Sequence, residues 1–130
     1  MPTPCLFCRI AAGDAPAVLL HRDTEVVAFR DLHPKAEVHI LVAPVRHIPS
    51  LAGAEEADLA VLGRIQWVLR SLAREHGIAE ANTVRTNTGA AGGQSVGHLH
   101  YHLLGGAGLE AQTAALRATG VTFTASVDVP

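Results

Sequence analysis

The sequence predicts one mixed domain of strands and helix, on three observations. Strand-length apolar clusters fill the first third, a run with three-to-four residue spacing fills the middle, and histidines alternate strictly near the end. Val18-Leu19-Leu20, Glu25-Val26-Val27-Ala28-Phe29 and Val38-His39-Ile40-Leu41-Val42 read as three strands. His21-Arg22-Asp23-Thr24 is short enough for a hairpin, and Asp31-Leu32-His33-Pro34-Lys35 carries a proline that removes a backbone donor, so antiparallel pairing is expected. Beyond Pro44 and Pro49, the spacing of Leu59, Leu62, Ile65, Leu69, Leu72 and His76 predicts the one long helix, stopping at Gly77. A short strand around Thr83-Val84-Arg85-Thr86-Asn87 leads into Thr88-Gly89-Ala90-Ala91-Gly92-Gly93, and a last strand is expected from about Val96 to Leu104, before Gly105-Gly106. In residues 107–130 a short helix from Leu109 to Arg117 is expected, followed by a Thr/Val-rich end.

The chain has 130 residues, enough for one domain and too few for a separate cofactor domain. With 48% hydrophobic and 17% charged residues it can bury a core. Ten basic against twelve acidic residues, with no Lys/Arg run, argue against nucleic acid as a partner and against a polybasic membrane patch. No stretch approaches the roughly 20 apolar residues of a membrane span, and the amino terminus lacks the pattern of a secretory signal. A soluble, cytoplasmic protein is expected. Cys5 and Cys8 are spaced C-x-x-C, which favours a metal or redox role in a reducing compartment over a disulfide framework. Two thiolates fill two corners of a tetrahedral zinc site and need two more ligands. A thioredoxin-like pair lacks the strand that should precede it, and plain reduced thiols are the third reading.

Eight histidines stand beside only three Phe, one Tyr and one Trp, and three of them are His98, His100 and His102. In an extended chain these project from one face, while Leu99, Tyr101 and Leu103 project from the other. Three readings compete. A neutral imidazole with one nitrogen held by a hydrogen bond offers the lone pair of the other as a nucleophile. Alternating histidines also serve as metal ligands, and a merely structural sheet face is the third. Directly ahead, Gly92-Gly93-Gln94-Ser95 lets backbone N–H groups approach an anion, which favours phosphate chemistry. His39, in an apolar strand, reads as a satisfied core histidine, and His21, His33 and His76 as surface or helix-end residues.

Gln94-Ser95-Val96-Gly97-His98-Leu99-His100-Tyr101-His102-Leu103-Leu104 resembles the signature of the histidine triad (HIT) superfamily, and Asn87, Gly92-Gly93 and Gly105-Gly106 resemble its Hint branch. The resemblance extends upstream through Leu6-Phe7-Cys8-Arg9-Ile10, Ala28-Phe29-Arg30-Asp31, His39-Ile40-Leu41-Val42 and Pro44-Val45-Arg46-His47-Ile48, covering about residues 5–106. It implies a single α+β domain with a five-stranded antiparallel sheet, one long and one short helix, a homodimer, and hydrolysis of nucleoside 5′-phosphoramidates or related nucleoside monophosphate derivatives. By the same resemblance His100 is the nucleophile that forms a covalent nucleotidyl-histidine. His102 holds phosphate oxygens, with Ser95, Gln94 and Asn87 nearby. Asp31 takes the ribose diol, and Leu6, Phe7, Ile10, Phe29, Leu32 and Leu41 wall the pocket of a purine nucleotide.

Many microbial members of that family close a zinc site from a Cys-x-x-Cys, the histidine of an Arg-His-Ile segment and the first triad histidine, here Cys5, Cys8, His47 and His98. The resemblance therefore implies a structural zinc without a turnover role. Gly97 stands where Hint proteins often carry a larger residue, and their Trp-Pro ending does not follow Gly105-Gly106. A dinucleoside polyphosphate hydrolase of the Fhit type and a zinc-stabilised nucleotide-binding adaptor are the rival readings.

Overall fold

The computed structural model describes residues 5–111. Helix α1 (Leu6–Ala12) is followed by strands β1 (Leu19–Arg22), β2 (Val26–Arg30) and β3 (Val38–Pro44). Two short 3-10 turns lead to helix α2 (Leu59–Glu75), and β4 (Asn82–Thr86) and β5 (Tyr101–Gly105) complete the domain. The strands form one antiparallel sheet in the order β1-β2-β3-β5-β4.

The two faces of the sheet explain the sequence pattern. Val26, Ala28, Val38, Ile40, Val42, Tyr101 and Leu103 pack on one face against Ile65, Val68, Leu69 and Leu72 of α2. Val27, Phe29, Leu41 and Ala43 face the other way and pack against Phe7, Ile10 and Ala11 of α1. Strands β2 and β3 are covered on both sides, so they read as continuous apolar runs. Each fully buried Val, Leu or Ile contributes roughly 1.5–3 kcal/mol through the hydrophobic effect. The α1 face is shared with the chemistry, because His39 and His102 stand on the same side of β3 and β5 as Leu41.

Helix α2 ends as its glycine predicts, with Gly77 at φ 72° just past the last turn. A short helix that the sequence reading did not name precedes the sheet: α1, seven residues whose start lacks a side-chain cap and whose end is closed by Gly13 at φ 82°. Of the helix expected at Leu109–Arg117, residues 109–111 are helical and 112–117 lie outside the described residues.

The first hairpin turns later than expected. His21 and Arg22 belong to β1, and the chain reverses at Asp23, whose Oδ1 accepts the N–H groups of Glu25 and Val26, both at 2.7 Å. Its Oδ2 meets His21 Nε2 at 2.7 Å and Arg64 at 3.1 Å, tying the hairpin to α2. Partial burial works against ionisation of Asp23, but these partners outweigh it and hold the carboxyl well below the usual range.

The last strand is shorter than the alternation suggested. The ladder begins at Tyr101 rather than Val96, because Val96-Gly97-His98 makes a tight turn in which the His98 N–H bonds to the Val96 carbonyl at 2.8 Å. The next residues find partners outside the ladder. The Leu99 N–H donates to the Ile48 carbonyl at 2.7 Å, and the His100 carbonyl accepts from the Thr86 hydroxyl at 2.7 Å. Alternation survives without the ladder: Leu99, Tyr101 and Leu103 all enter the α2-side core.

Candidate active site and metal cluster

Backbone contacts decide what each histidine can do. The His98 ring is fully buried, and its Nε2–H donates to the Pro44 carbonyl at 2.8 Å. That bond puts the lone pair on Nδ1, which points into a group of Cys5, Cys8 and His47. Cys5 Sγ lies 3.4 Å from His98 Nδ1, Cys8 Sγ lies 3.4 Å from His47 Nδ1 and 3.6 Å from His98 Nδ1, and the two Nδ1 atoms are 3.2 Å apart. Around a tetrahedral zinc, bond lengths of about 2.3 Å to sulfur and about 2.05 Å to nitrogen require S···N edges of about 3.6 Å and an N···N edge of about 3.3 Å. The four residues fit the ion. Burial above all pushes the His98 pKa down, against the pull of the Pro44 carbonyl, with His47 and His100 adding to the effect. Burial and then the neighbouring Cys5 push the Cys8 thiol up, so a cation entering here displaces protons.

His100 is set by the main chain of His98. Its Nδ1–H donates to the His98 carbonyl at 2.7 Å, which leaves the lone pair of the neutral ring on Nε2. Phe7 meets this ring edge-on at 5.0 Å between centroids, and the His102 ring lies 5.0 Å away at a tilt. Helix α1 therefore positions both centres: Cys5 and Cys8 flank Leu6 and Phe7, which belong to the wall of the cavity beside His100.

The third imidazole is set from farther off. The Lys35 N–H donates to His39 Nδ1 at 3.1 Å, so His39 carries its proton on Nε2 and donates it to His102 Nδ1 at 2.9 Å. His102 is left with its own N–H on Nε2, a donor suited to an oxyanion. Burial, then the neighbouring His100, His39 and Arg85, push the His102 pKa down to about 4, against the opposing pull of Asp31. Burial likewise lowers His39, with Asp31 opposing and Lys35 and Arg85 adding to the shift.

Asp31, His39 and His102 also come within metal-binding reach of one another, but the Lys35 N–H assigns the His39 Nε2 a proton instead of a lone pair. The same proximity thus has opposite meanings in the two clusters, and the hydrogen bond on the far side of each ring decides which.

The rings open onto a cavity of about 260 Å³ lined by Leu6, Phe7, Ile10, Phe29, Leu32 and Leu41, together with Asp31, Ser95, His100 and His102. Asp31 does two things. Its Oδ1 accepts the His33 N–H at 2.8 Å, a local turn bond, while Oδ2 lies 3.3 Å from His39 Nε2. Phe7 and Phe29 meet edge-to-face at 5.2 Å.

Two of the residues named from the sequence are not in this lining. Asn87 donates to the Gly92 carbonyl at 2.8 Å. The Gln94 amide donates to the Pro49 and Val96 carbonyls and its oxygen accepts the Gly89 N–H, so both side chains brace the glycine loop. Pro16, Ala17, Arg30, His33 and Val96 complete the lining, and the sequence reading assigned none of them to it. His39 is the larger omission. It is the buried, satisfied histidine expected, yet it also sets His102, a link of 63 residues for which the sequence offers no signal.

A model of the family described as "Scavenger mRNA decapping enzyme C-term binding" matches residues 4–113. Protein HitA of Neisseria gonorrhoeae is 39% identical over 101 residues, covering 78% of this chain and 94% of that protein. The 14 kDa zinc-binding protein of Zea mays and Adenylylsulfatase HINT1 of Arabidopsis thaliana are each 39% identical over 106 residues, covering 80% of this chain and 83% and 72% of theirs. Among solved structures, a HIT family hydrolase from Legionella pneumophila Philadelphia 1 superposes with a TM-score of 0.78 at 38% identity, covering 79% of this chain and 93% of that one. The chain belongs to the histidine triad family, in its Hint-like branch.

Proposed function

We propose that this protein hydrolyses nucleoside 5′-phosphoramidates or related nucleoside monophosphate derivatives through a covalent nucleotidyl-histidine on His100. The observation that carries the reading is the bond from His100 Nδ1 to the His98 carbonyl, which leaves a lone pair on the other nitrogen of a ring lining the cavity. In this reading a purine lies against Phe7, Phe29, Leu41 and their neighbours, and Asp31 accepts the ribose hydroxyls. The His102 N–H and the Ser95 hydroxyl hold phosphate oxygens. His100 Nε2 attacks phosphorus as the bond to the leaving group breaks, and an amine leaving group takes up a proton from solvent. Water then attacks phosphorus and gives a proton back to solvent, the bond to Nε2 breaks, and the nucleoside monophosphate departs. The names of relatives support hydrolysis: one is an adenylylsulfatase and one solved neighbour a hydrolase.

Cys5, Cys8, His47 and His98 would hold a zinc ion, a reading supported by the tetrahedral spacing and by the zinc-binding relative from maize. All four positions of the ion would be filled by protein, so it would supply a cross-link and no open site. A homodimer is supported by the open edge of β4, where Val84 is 44% exposed beside a hollow of about 390 Å³ shared with α2. Among the described residues no helix is long and apolar enough to cross a membrane.

Mass spectrometry of protein quenched during turnover of an adenosine phosphoramidate tests the reading. A covalent AMP adduct on the wild type that is absent from His100→Ala is expected. Tight binding with neither adduct nor hydrolysis would leave a nucleotide-binding protein in its place, and turnover confined to dinucleoside polyphosphates would favour the Fhit-type activity.

A further inference from the structure

Arg85 stands in the edge strand β4 directly opposite His102, so the two side chains leave the same face of the sheet. A single row of residues crosses that face: Phe29 pairs with Leu41, Leu41 with His102, and His102 with Arg85. The first three line the cavity, running from its apolar wall to its phosphate end, and Arg85 is the next position outward. The Arg85 Nε is buried without a hydrogen-bond partner. Among the described residues its guanidinium has no ion pair. A guanidinium stays charged throughout the physiological range and presents a fork of donors that suits oxyanions. A buried donor with no partner is rare in a native fold and calls for a ligand or a role. Arg85 is thus unpaired one strand outward from His102, on the face of the sheet that carries the cavity.

We propose that Arg85 binds an oxyanion on the leaving-group side of phosphorus, so that this protein favours nucleoside 5′-phosphate derivatives whose leaving group is itself an anion over those that release an amine. The proposal rests on the reading of His100 as the nucleophile of a hydrolase. The two classes of leaving group need different help. With a sulfate, the phosphorus–oxygen bond breaks as the His100–phosphorus bond forms, and the sulfate keeps both electrons and needs no proton. With an amine, the departing nitrogen must gain a proton, and a neighbouring cation gives it nothing. In both cases water then attacks phosphorus and releases His100 and the nucleoside monophosphate.

The test compares wild type, Arg85→Gln and Arg85→Lys on adenosine 5′-phosphosulfate and on adenosine 5′-phosphoramidate. Arg85→Gln is expected to lower kcat/KM for the phosphosulfate by about 10- to 100-fold, the range of one charge-assisted hydrogen bond, and for the phosphoramidate by less than about threefold. Arg85→Lys is expected to recover part of the loss. Equal losses on both substrates, or no loss on either, would overturn the proposal. Calorimetric binding to His100→Ala, with and without Arg85→Gln, separates this from the chemistry. If the wild type turns over neither substrate yet binds the phosphosulfate more tightly through Arg85, the hydrolase reading falls and the oxyanion site stands. If the binding preference survives Arg85→Gln, the oxyanion site falls.

Discussion

His98 and His100 are joined by a 2.7 Å hydrogen bond from the ring of one to the carbonyl of the other, while the ring of His98 turns away towards Cys5, Cys8 and His47. One residue thereby links the cysteine cluster to the imidazole beside the cavity, by its side chain and its main chain respectively. Purified protein is expected to contain one zinc per chain, and Cys5→Ser and Cys8→Ser to lose it. Metal removal should lower Tm by at least about 5 °C and weaken nucleotide binding, because Leu6 and Phe7 lie between the two cysteines. Metal analysis and thermal melts check this, and a metal-free wild type of unchanged stability would refute it.

Acid should destabilise the fold through His102. Its pKa of about 4 in the folded chain lies below the roughly 6.5 of an unfolded one. Between those values the unfolded chain binds a proton that the native state does not, so stability falls as pH drops from about 6.5 to about 4 and this residue adds no further loss below. The effect is on the order of 2 kcal/mol after allowing for solvent screening. Urea denaturation at several pH values should show a shallower acid slope for His102→Gln than for wild type.

Leu6 and Phe7 should separate binding from stability. Leu6 is 47% exposed at the cavity mouth and Phe7 is buried against Phe29 and His100. Leu6→Ala is expected to raise KM several-fold with little change in Tm. Phe7→Ala should raise KM and also cost about 3–5 kcal/mol of stability. Steady-state kinetics beside thermal melts distinguish the two.

Gly105 is required by close packing. A Cβ there would lie 2.6 Å from Ile78 Cδ1 and 2.8 Å from both Cβ and Cγ2 of the same residue, so no rotation of Ile78 relieves the clash. Gly105→Ala is expected to cost about 1–3 kcal/mol, read as a lower urea midpoint at unchanged slope. A neutral result would mean that Ile78 and its turn move freely.

Much of the site was legible because its signals are local. Alternation at period two placed His98, His100 and His102 on one side and Leu99, Tyr101 and Leu103 in the core, even where the chain leaves the ladder. Asp31 and the apolar wall were reached through the family resemblance, and the cavity contains them. Helix α1 was missed because seven residues without a side-chain cap give a weak periodic signal, though Gly13 marked its end. Gln94 and Asn87 have the hydrogen-bonding ends expected near a phosphate, but the glycine loop has many backbone groups to satisfy and claims both.

Residue type and spacing were therefore enough to determine that the strands exist, though not where β1 and β5 are bounded, together with the long helix and the facing of the triad. Only the folded chain decided which nitrogen of each imidazole holds the proton. That depends on a carbonyl or N–H brought up from elsewhere: Pro44 for His98, Lys35 for His39, and His39 in turn for His102. Hydrogen bonds of this kind join positions up to 63 residues apart, and they exist only once packing has placed the strands side by side.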